Sequence, residues 1–356
     1  MFQHEKYMWR ALQLARLGQG WVAPNPMVGC VIVHQDRIIG EGWHQRYGES
    51  HAEVNAVAAV KDKELLSEAT VYVTLEPCSH FGKTPPCADL LIRHQVKRVI
   101  VCNVDTNPLV GGKGIARLQA AGIEVIKGVL AEEGRLLNER FFCFMEQKRP
   151  FIILKWAESA DGFIAQADGK PVAISNEFSR KWVHRWRSQE AAIMVGTRTA
   201  QVDNPKLDVR DWIGKNPIRV VIDKTLNLEP SLHLFEQSQP TVVYNLLKND
   251  QNGLTTHVQM PALDNAIPWI LNDLYQRNIQ SVLVEGGTQL LESFLTSDLW
   301  DEMRVLRSTK KLHNGIKAPQ HNVPLSHLYN IMGDTLWVGK KRLTVAAATD
   351  EVSDAL

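Results

Sequence analysis

The first 19 residues, MFQHEKYMWRALQLARLGQ, set charged positions into an apolar pattern of helical period, which predicts an amphipathic helix over 4–17. Short apolar runs rich in β-branched residues then recur, and each reads as a strand: VGCVIV, TVYVTLEP, KRVIVCNV and IEVIKGV. Between them HAEVNAVAAV, CADLLIRHQ and GIARLQAAG read as helices, and one further helix is predicted through 130–147. Alternation of this kind predicts an α/β layer built on a largely parallel sheet. QKRP at 147–150 breaks the pattern, and the boundary is placed there, giving units 1–147 and 148–356.

A second α/β run begins at FIILKWAESADGFIA. It continues through helix FSRKWVHRWRS, strands AAIMVG, IRVVID and TVVYN, a helix near 264–278, strand SVLVEGG, helix QLLESFL and strand EMRVLR. The tail past 310 is polar, with a last strand pair expected around TLWVGKKRLTVA. A chain of 356 residues exceeds a usual single domain, in keeping with two units. The net charge of +1 offers no global footprint for nucleic acid or an anionic membrane, so an anionic substrate needs local cations. The longest apolar runs are strand-sized, and the N-terminus does not read as a secretory signal. Five cysteines make an odd, sparse set, which argues against a disulfide framework and for a reducing cytoplasm. Cys30, Cys102 and Cys143 lie in apolar runs and read as inert core thiols.

Cys78 and Cys87 differ. Cys78 ends TLEPC, Cys87 opens a predicted helix, and HAE upstream supplies His51 and Glu53. Zinc takes soft or borderline donors in tetrahedral array, and a catalytic site uses three protein ligands with one open place. His51, Cys78 and Cys87 meet that count, and Glu53 would stand beside the metal as a proton shuttle. His-x-Glu followed by Pro-Cys and a second Cys is the order found in zinc deaminases, where two residues usually separate the cysteines. Here eight intervene, SHFGKTPP. Taken singly, His51 is an ordinary helix-start residue and the thiols are small buried hydrophobes. Taken together they favour zinc. GGKG at 111–114 lacks the Ser or Thr of a phosphate loop, since Ile115 follows, and reads as a glycine-rich helix entry. The two glycines of VEGG mark a strand-to-helix turn where an anion can approach backbone amides, but they are no dinucleotide fingerprint.

APNPMVGCVIV, GEGWHQRYGESHAEVNAV, VYVTLEPCSHFGKTPPC and VDTNPLVGGKG together closely resemble the deaminase half of the bifunctional riboflavin-biosynthesis deaminase/reductases, in which the longer insert between the cysteines is the norm. LKWAESADGFIA, GTRTAQVDNPKLDVR and VLVEGGTQLLESFL resemble the reductase half. The resemblance implies a cytidine-deaminase-like zinc domain over 1–147 and a dihydrofolate-reductase-like, NADPH-dependent α/β domain over 148–356. It implies hydrolytic loss of a ring amino group from a diaminopyrimidinone carrying a ribosylamino 5′-phosphate, then hydride delivery to C1′, giving a ribityl chain.

Carried over by resemblance, Asn25, His44, His80 and Lys83 contact the deaminase substrate. Lys155 and Asp203 sit in the reductase reaction zone, and Arg187, Leu207, Arg210 and Glu285 contact its substrate. Ala157, Thr199, Asp203 and Gly287 line the cofactor. A guanidinium fork suits a phosphate dianion, which makes Arg187 and Arg210 the candidates for that group. The bland alternatives are a solvated helix face for Arg187 and a loop charge for Arg210. In GKPVAISNE, Pro171 and Ala173 stand where many members carry Ser and Trp, leaving Ser175 and Asn176 as the polar residues of that segment. The expected partners are small phosphorylated pyrimidines and further copies of the chain as a homo-oligomer, with no nucleic acid and no membrane. A nucleoside or tRNA adenosine deaminase with an unrelated appended domain is a competing reading, against which the lack of a basic, aromatic-interleaved patch counts. A purely structural zinc is another, but structural sites are usually closed by four protein ligands and only three are visible.

Overall fold

The computed structural model describes residues 2–80, 85–107, 111–168 and 172–341. Helix α1 (Phe2–Arg16) precedes β1 (Gly29–His34), β2 (Arg37–Trp43), α2 (Ala52–Ala59), β3 (Thr70–Leu75), α3 (Cys87–Arg93), β4 (Arg98–Asn103), α4 (Lys113–Ala120) and β5 (Glu124–Lys127). The strands form one sheet in the order β2-β1-β3-β4-β5. Only β3, β4 and β5 run parallel; β1 is antiparallel to both of its neighbours. Strand side chains alternate faces. Cys30 and Ile32 therefore pack with Ala56 and Leu91 under α2 and α3, while Val31 and Val33 pack with Met8 and Leu12 of α1.

Strand β2 is not among the predicted elements. Its apolar alternation is interrupted by Gly40 and Gly42, and the structure explains both. A Cβ on Gly42 would stand 2.3 Å from the Ala56 nitrogen, and one on Gly40 2.5 Å from the Ala56 carbonyl oxygen. The glycines let the backbone of α2 lie against the strand, and this close approach fixes the start of α2. The single helix expected over 130–147 is two, α5 (Ala131–Leu137) and α6 (Glu139–Gln147). The break falls at Asn138, whose buried amide clamps Met27 by accepting from its N–H at 2.8 Å and donating to its carbonyl at 2.8 Å.

The second half contains β6 (Phe151–Glu158), β7 (Phe163–Ala165), α7 (Glu177–Gln189), β8 (Ala192–Gly196), α8 (Thr197–Asp203), β9 (Ile218–Ile222), β10 (Thr241–Asn245), β11 (Asp250–Asn252), β12 (Thr255–Gln259), α9 (Ile267–Gln276), β13 (Ser281–Val284), α10 (Thr288–Thr296), β14 (Glu302–Arg307), β15 (Ile316–Lys317), β16 (Ser326–Ile331) and β17 (Asp334–Lys340). Its ten-stranded sheet has the order β11-β12-β10-β9-β8-β13-β6-β14-β17-β16, with the seven strands from β12 to β14 parallel. One face packs on α9 and α10, the other on α6, α7 and α8. β17 takes in TLWVGK of the expected final pair and pairs with β16, an exposed edge strand without an apolar alternation, while RLTVA lies outside the described residues.

The two halves meet along α6. Phe141 and Phe142 pack against Leu75, while Cys143 joins the core around Phe151 and Val183. Arg140 grips the buried Glu190 at 2.6 and 2.8 Å. Cys30, Cys102 and Cys143 are buried, as expected. Among the described residues no helix is long and apolar enough to cross a membrane.

Candidate active sites

The close seat of α2 on β2 places His51 at the helix N-cap. Its imidazole makes no capping bond and turns toward the cysteines instead, with Nδ1 3.5 Å from Cys78 Sγ and 3.4 Å from Cys87 Sγ. Cys78 lies just beyond β3, Cys87 opens α3, and the Cys87 N–H donates to Cys78 Sγ at 3.3 Å. Zinc bonds of about 2.05 Å to nitrogen and 2.3 Å to sulfur, at the tetrahedral angle, put N and S roughly 3.6 Å apart. The three donor atoms, all within 4.8 Å of one another, therefore fit a zinc ion by chemistry and by spacing. The Cys78 thiol is pulled down to about 4, chiefly by hydrogen bonding from Cys87, with His51 adding to it. The Cys87 thiol is pushed up by its neighbour Cys78 and by burial. A cation at the centre is what would hold both as thiolates.

Glu53, in the first turn of α2, is 3% exposed. Burial raises its carboxyl to about 7, the Cys78 sulfur adds to the rise, and His51 opposes it. Next to the cluster, the imidazole of buried His44 lies 5.5 Å from that of His51, edge to face. Burial lowers the His44 pKa. Its Nδ1 donates to the Ser50 carbonyl at 3.1 Å, and its Nε2 accepts from the Asn25 amide at 3.1 Å. Asn25 and His44 are thus brought to the site as one unit. His80 is exposed; burial raises the nearby Asp105 carboxyl to about 6, with the Asn107 amide and His80 opposing the rise. Lys83 lies outside the described residues.

A residue that the sequence reading passed over holds this centre in place. Glu76, in TLEPC, is buried and accepts backbone N–H bonds from Asp105, Gly112, Gly114 and Ile115 at 2.9–3.2 Å. The amides of the GGKG turn are thereby taken by the protein's own carboxylate, as the helix-entry reading requires. A Cβ on Gly114 would stand 1.9 Å from the Pro77 carbonyl oxygen, so the turn is pressed directly onto the residue before Cys78.

The second half carries a cavity of about 1330 Å³ at the carboxyl ends of β6, β8, β9 and β13. Open parallel sheets bind their ligands there. Lys155, Ala157, Arg187, Thr199, Asp203, Arg210, Glu285 and Gly287 all line it. The side chain of Leu207 does not; it is 2% exposed and packs in the core with Val195 and Val221. The Gly287 N–H donates to Thr199 Oγ1 at 3.0 Å, joining the two glycine- and threonine-bearing turns. Ser175 lines the cavity, whereas Asn176 caps α7 by accepting from the Ser179 N–H and donates to the Ile331 carbonyl.

Arg187 is not the free phosphate fork that was expected. Its Nε and Nη2 donate to Glu285 at 3.0 and 2.9 Å, and its Nη1 donates to the Asp208 carbonyl. Lys155 Nζ lies 3.6 Å from the same carboxylate. Burial works to raise the Glu285 pKa, but Arg187 and Lys155 outweigh it and hold the carboxyl at about 2. Burial also lowers the Lys155 pKa. Arg210 lines the cavity too, but is exposed and pairs with Asp208 two residues away, not with a buried carboxylate. The Arg187–Glu285 pair had no local signal, because its members are 98 residues apart.

Residues 1–103 match the family model of the cytidine and deoxycytidylate deaminase zinc-binding region, and residues 150–311 match that of the RibD C-terminal domain. A zinc-type deaminase joined to a reductase is the class of protein that the two sites define. Over 317 residues the chain is 40% identical to the riboflavin biosynthesis protein RibD of Aquifex aeolicus, covering 88% of each. It is 42% identical over 305 residues to RibD of Actinobacillus pleuropneumoniae, covering 82% of this chain and 80% of the relative. The crystal structure of the Thermotoga maritima diaminohydroxyphosphoribosylaminopyrimidine deaminase/5-amino-6-(5-phosphoribosylamino)uracil reductase superposes with a TM-score of 0.87 at 36% identity, over 95% of this chain and 99% of that one. The chain belongs to the RibD family, the bifunctional enzymes of riboflavin biosynthesis that pair a zinc-dependent deaminase with an NADPH-dependent reductase.

Proposed function

We propose that residues 1–147 hold zinc through His51, Cys78 and Cys87 and deaminate 2,5-diamino-6-ribosylamino-4(3H)-pyrimidinone 5′-phosphate. Residues 148–356 then use NADPH to reduce the ribosyl group of 5-amino-6-(5-phosphoribosylamino)uracil to ribityl. The supporting observation is that one chain brings together a three-donor cluster beside a buried carboxyl and a cofactor-sized cavity at parallel strand ends. The enzyme acts in the cytoplasm as a homo-oligomer, and five unpaired cysteines suit that compartment.

Zinc, when bound, supplies Lewis-acid activation of water near neutral pH. Glu53 takes one proton from the water and gives it to the ring nitrogen, then takes the second from the newly attached hydroxyl and gives it to the amine, which leaves as ammonia. A carboxyl whose pKa lies near the working pH can both accept and give, and burial moves Glu53 up in that direction. Asn25 and His44 orient the polar edge of the pyrimidine, His80 adds a contact, and Lys83 takes the phosphate. In the second half, NADPH supplies the hydride for C1′. Ala157, Thr199, Asp203 and Gly287 hold the cofactor, with Asp203 beside the reaction zone. Lys155 holds a proton near the sugar, kept in place by Glu285.

The order of steps tests this reading. Without NADPH the enzyme should release ammonia from the diaminopyrimidinone; NADPH oxidation should follow only on the deaminated product. A chelator should stop the first step and spare the second. NADPH oxidation before ammonia release, or full deamination after chelation, would overturn it. Arg210→Ala should raise the reductase substrate KM about ten- to a hundredfold, as loss of one charge-assisted phosphate contact does, and leave deamination untouched. Steady-state kinetics with an unchanged KM would remove Arg210 from the phosphate site.

A further inference from the structure

A second cavity, of about 450 Å³, lies between the two halves and belongs to neither active site. Its walls are the end of α1, α5 and α6 on one side and α7, β14 and β17 on the other. Five cations line it, Arg16, Arg140, Arg185, Arg304 and Lys340, against two carboxylates, Glu139 and Glu302. Both carboxylates are already shared. Glu139 takes Arg140 and Lys340, and Glu302 takes Arg304 at 2.6 Å and Lys340 at 3.4 Å. Arg140 is further committed to Glu190. Arg16 and Arg185 have no carboxylate partner among the described residues; Arg185 lies over Trp182. Arg304 is 8% exposed, and its Nη1, which reaches no solvent, has no hydrogen-bond partner although the guanidinium sits 5.0 Å from the Trp186 ring.

Arg16 is exposed and Arg185 is half-buried over Trp182 and Trp212, and neither has a carboxylate among the described residues to neutralise it, while Arg304 adds a third guanidinium to the same concave wall. An oxyanion would balance the cations that outnumber the carboxylates in this wall. Guanidinium groups bind phosphate and carboxylate oxygens in pairs, and two spare charges match a dianion. We propose that this inter-half cavity is a binding site for a phosphate-type dianion, a small phosphate monoester or phosphate itself, held by Arg16, Arg185 and Arg304. Its occupant would touch elements of both catalytic centres. α7 turns Trp182 and Arg185 to this cavity and His184 and Arg187 to the reductase cavity, while Met27 lies two residues from Asn25.

The test is calorimetric titration of the full chain with inorganic phosphate at constant ionic strength, with acetate as a monoanionic control. The double variant Arg16→Gln/Arg185→Gln should lose this binding event or weaken it at least tenfold, while the KM values of both reactions stay at wild-type values. Arg304→Met should weaken it likewise. If Arg304→Met does not fold, the double variant decides alone, since neither of its positions has a buried ion-pair partner. Arg210→Ala, altered in the other cavity, should retain the event. Titrations of the double variant that superimpose on wild type, loss of all phosphate binding in Arg210→Ala, or equal binding of acetate would each overturn the proposal.

Discussion

Glu53→Gln should keep its metal, its fold and its reductase activity, and lose deamination by about 10²–10⁴-fold. The amide preserves the shape of a side chain that is 3% exposed, so packing beside Cys87 and His51 is undisturbed. It cannot take a proton from water or hand one to a leaving amine. Cys87→Ser is the contrast: it removes a soft donor from a set of three, and metal and deamination should fall together. Metal content and ammonia release measured on the two variants separate the roles. Deamination within tenfold of wild type in a metal-replete Glu53→Gln enzyme would exclude Glu53 as the shuttle. Full metal in Cys87→Ser would exclude the ligand assignment.

Arg187→Met should lower the stability of the second half by about 3 kcal/mol, because it strands a buried carboxylate with only Lys155 at 3.6 Å. For a unit of this size that is roughly 6–12 °C in the midpoint of its thermal transition. If Arg187 belonged to a solvated helix face, the change would stay within about 0.5 kcal/mol. The pH dependence carries the same information. The Glu285 carboxyl is held at about 2 in the folded chain, against roughly 4.3 for an unfolded glutamate. Its contribution is therefore fully present above the unfolded value and is lost as pH falls from about 4 toward 2. Wild type should show that acid-side loss and Arg187→Met should show much less of it. Superimposable acid unfolding curves would remove Arg187 as the partner that matters.

The metal cluster was legible because its parts announce themselves locally: a histidine and a glutamate at a helix start, and a cysteine at each end of one short insert. Most strands and helices were legible from period alone. What escaped notice depends on distance in sequence or on one residue serving two masters. β2 hides behind two glycines that only the approach of α2 explains. Asn138 reads as one polar residue within a helix, yet it ends that helix because Met27, 111 residues away, needs its amide. Glu76 sits in plain view beside Cys78, but its four donors come from a turn about 30–40 residues on. Arg187 was assigned by chemistry to a phosphate when Glu285 already held its fork.

The strand order of the second sheet also sets a timetable for synthesis. The five strands of the first sheet are complete by Lys127, so that half can close while the rest is still being made. β6 emerges next, but its two sheet neighbours are β13 and β14, and β14 begins only at Glu302. At about 5–20 residues per second, β6 waits on the order of ten seconds for the strands that flank it. Through that interval β6 has neither of the strands that flank it, and Leu283 and Leu306, which share a core cluster with Phe151, are still unmade. The nascent chain thus carries a finished deaminase half tethered to an exposed central strand, and this is the stage at which a holdase would bind it and at which truncated chains would aggregate.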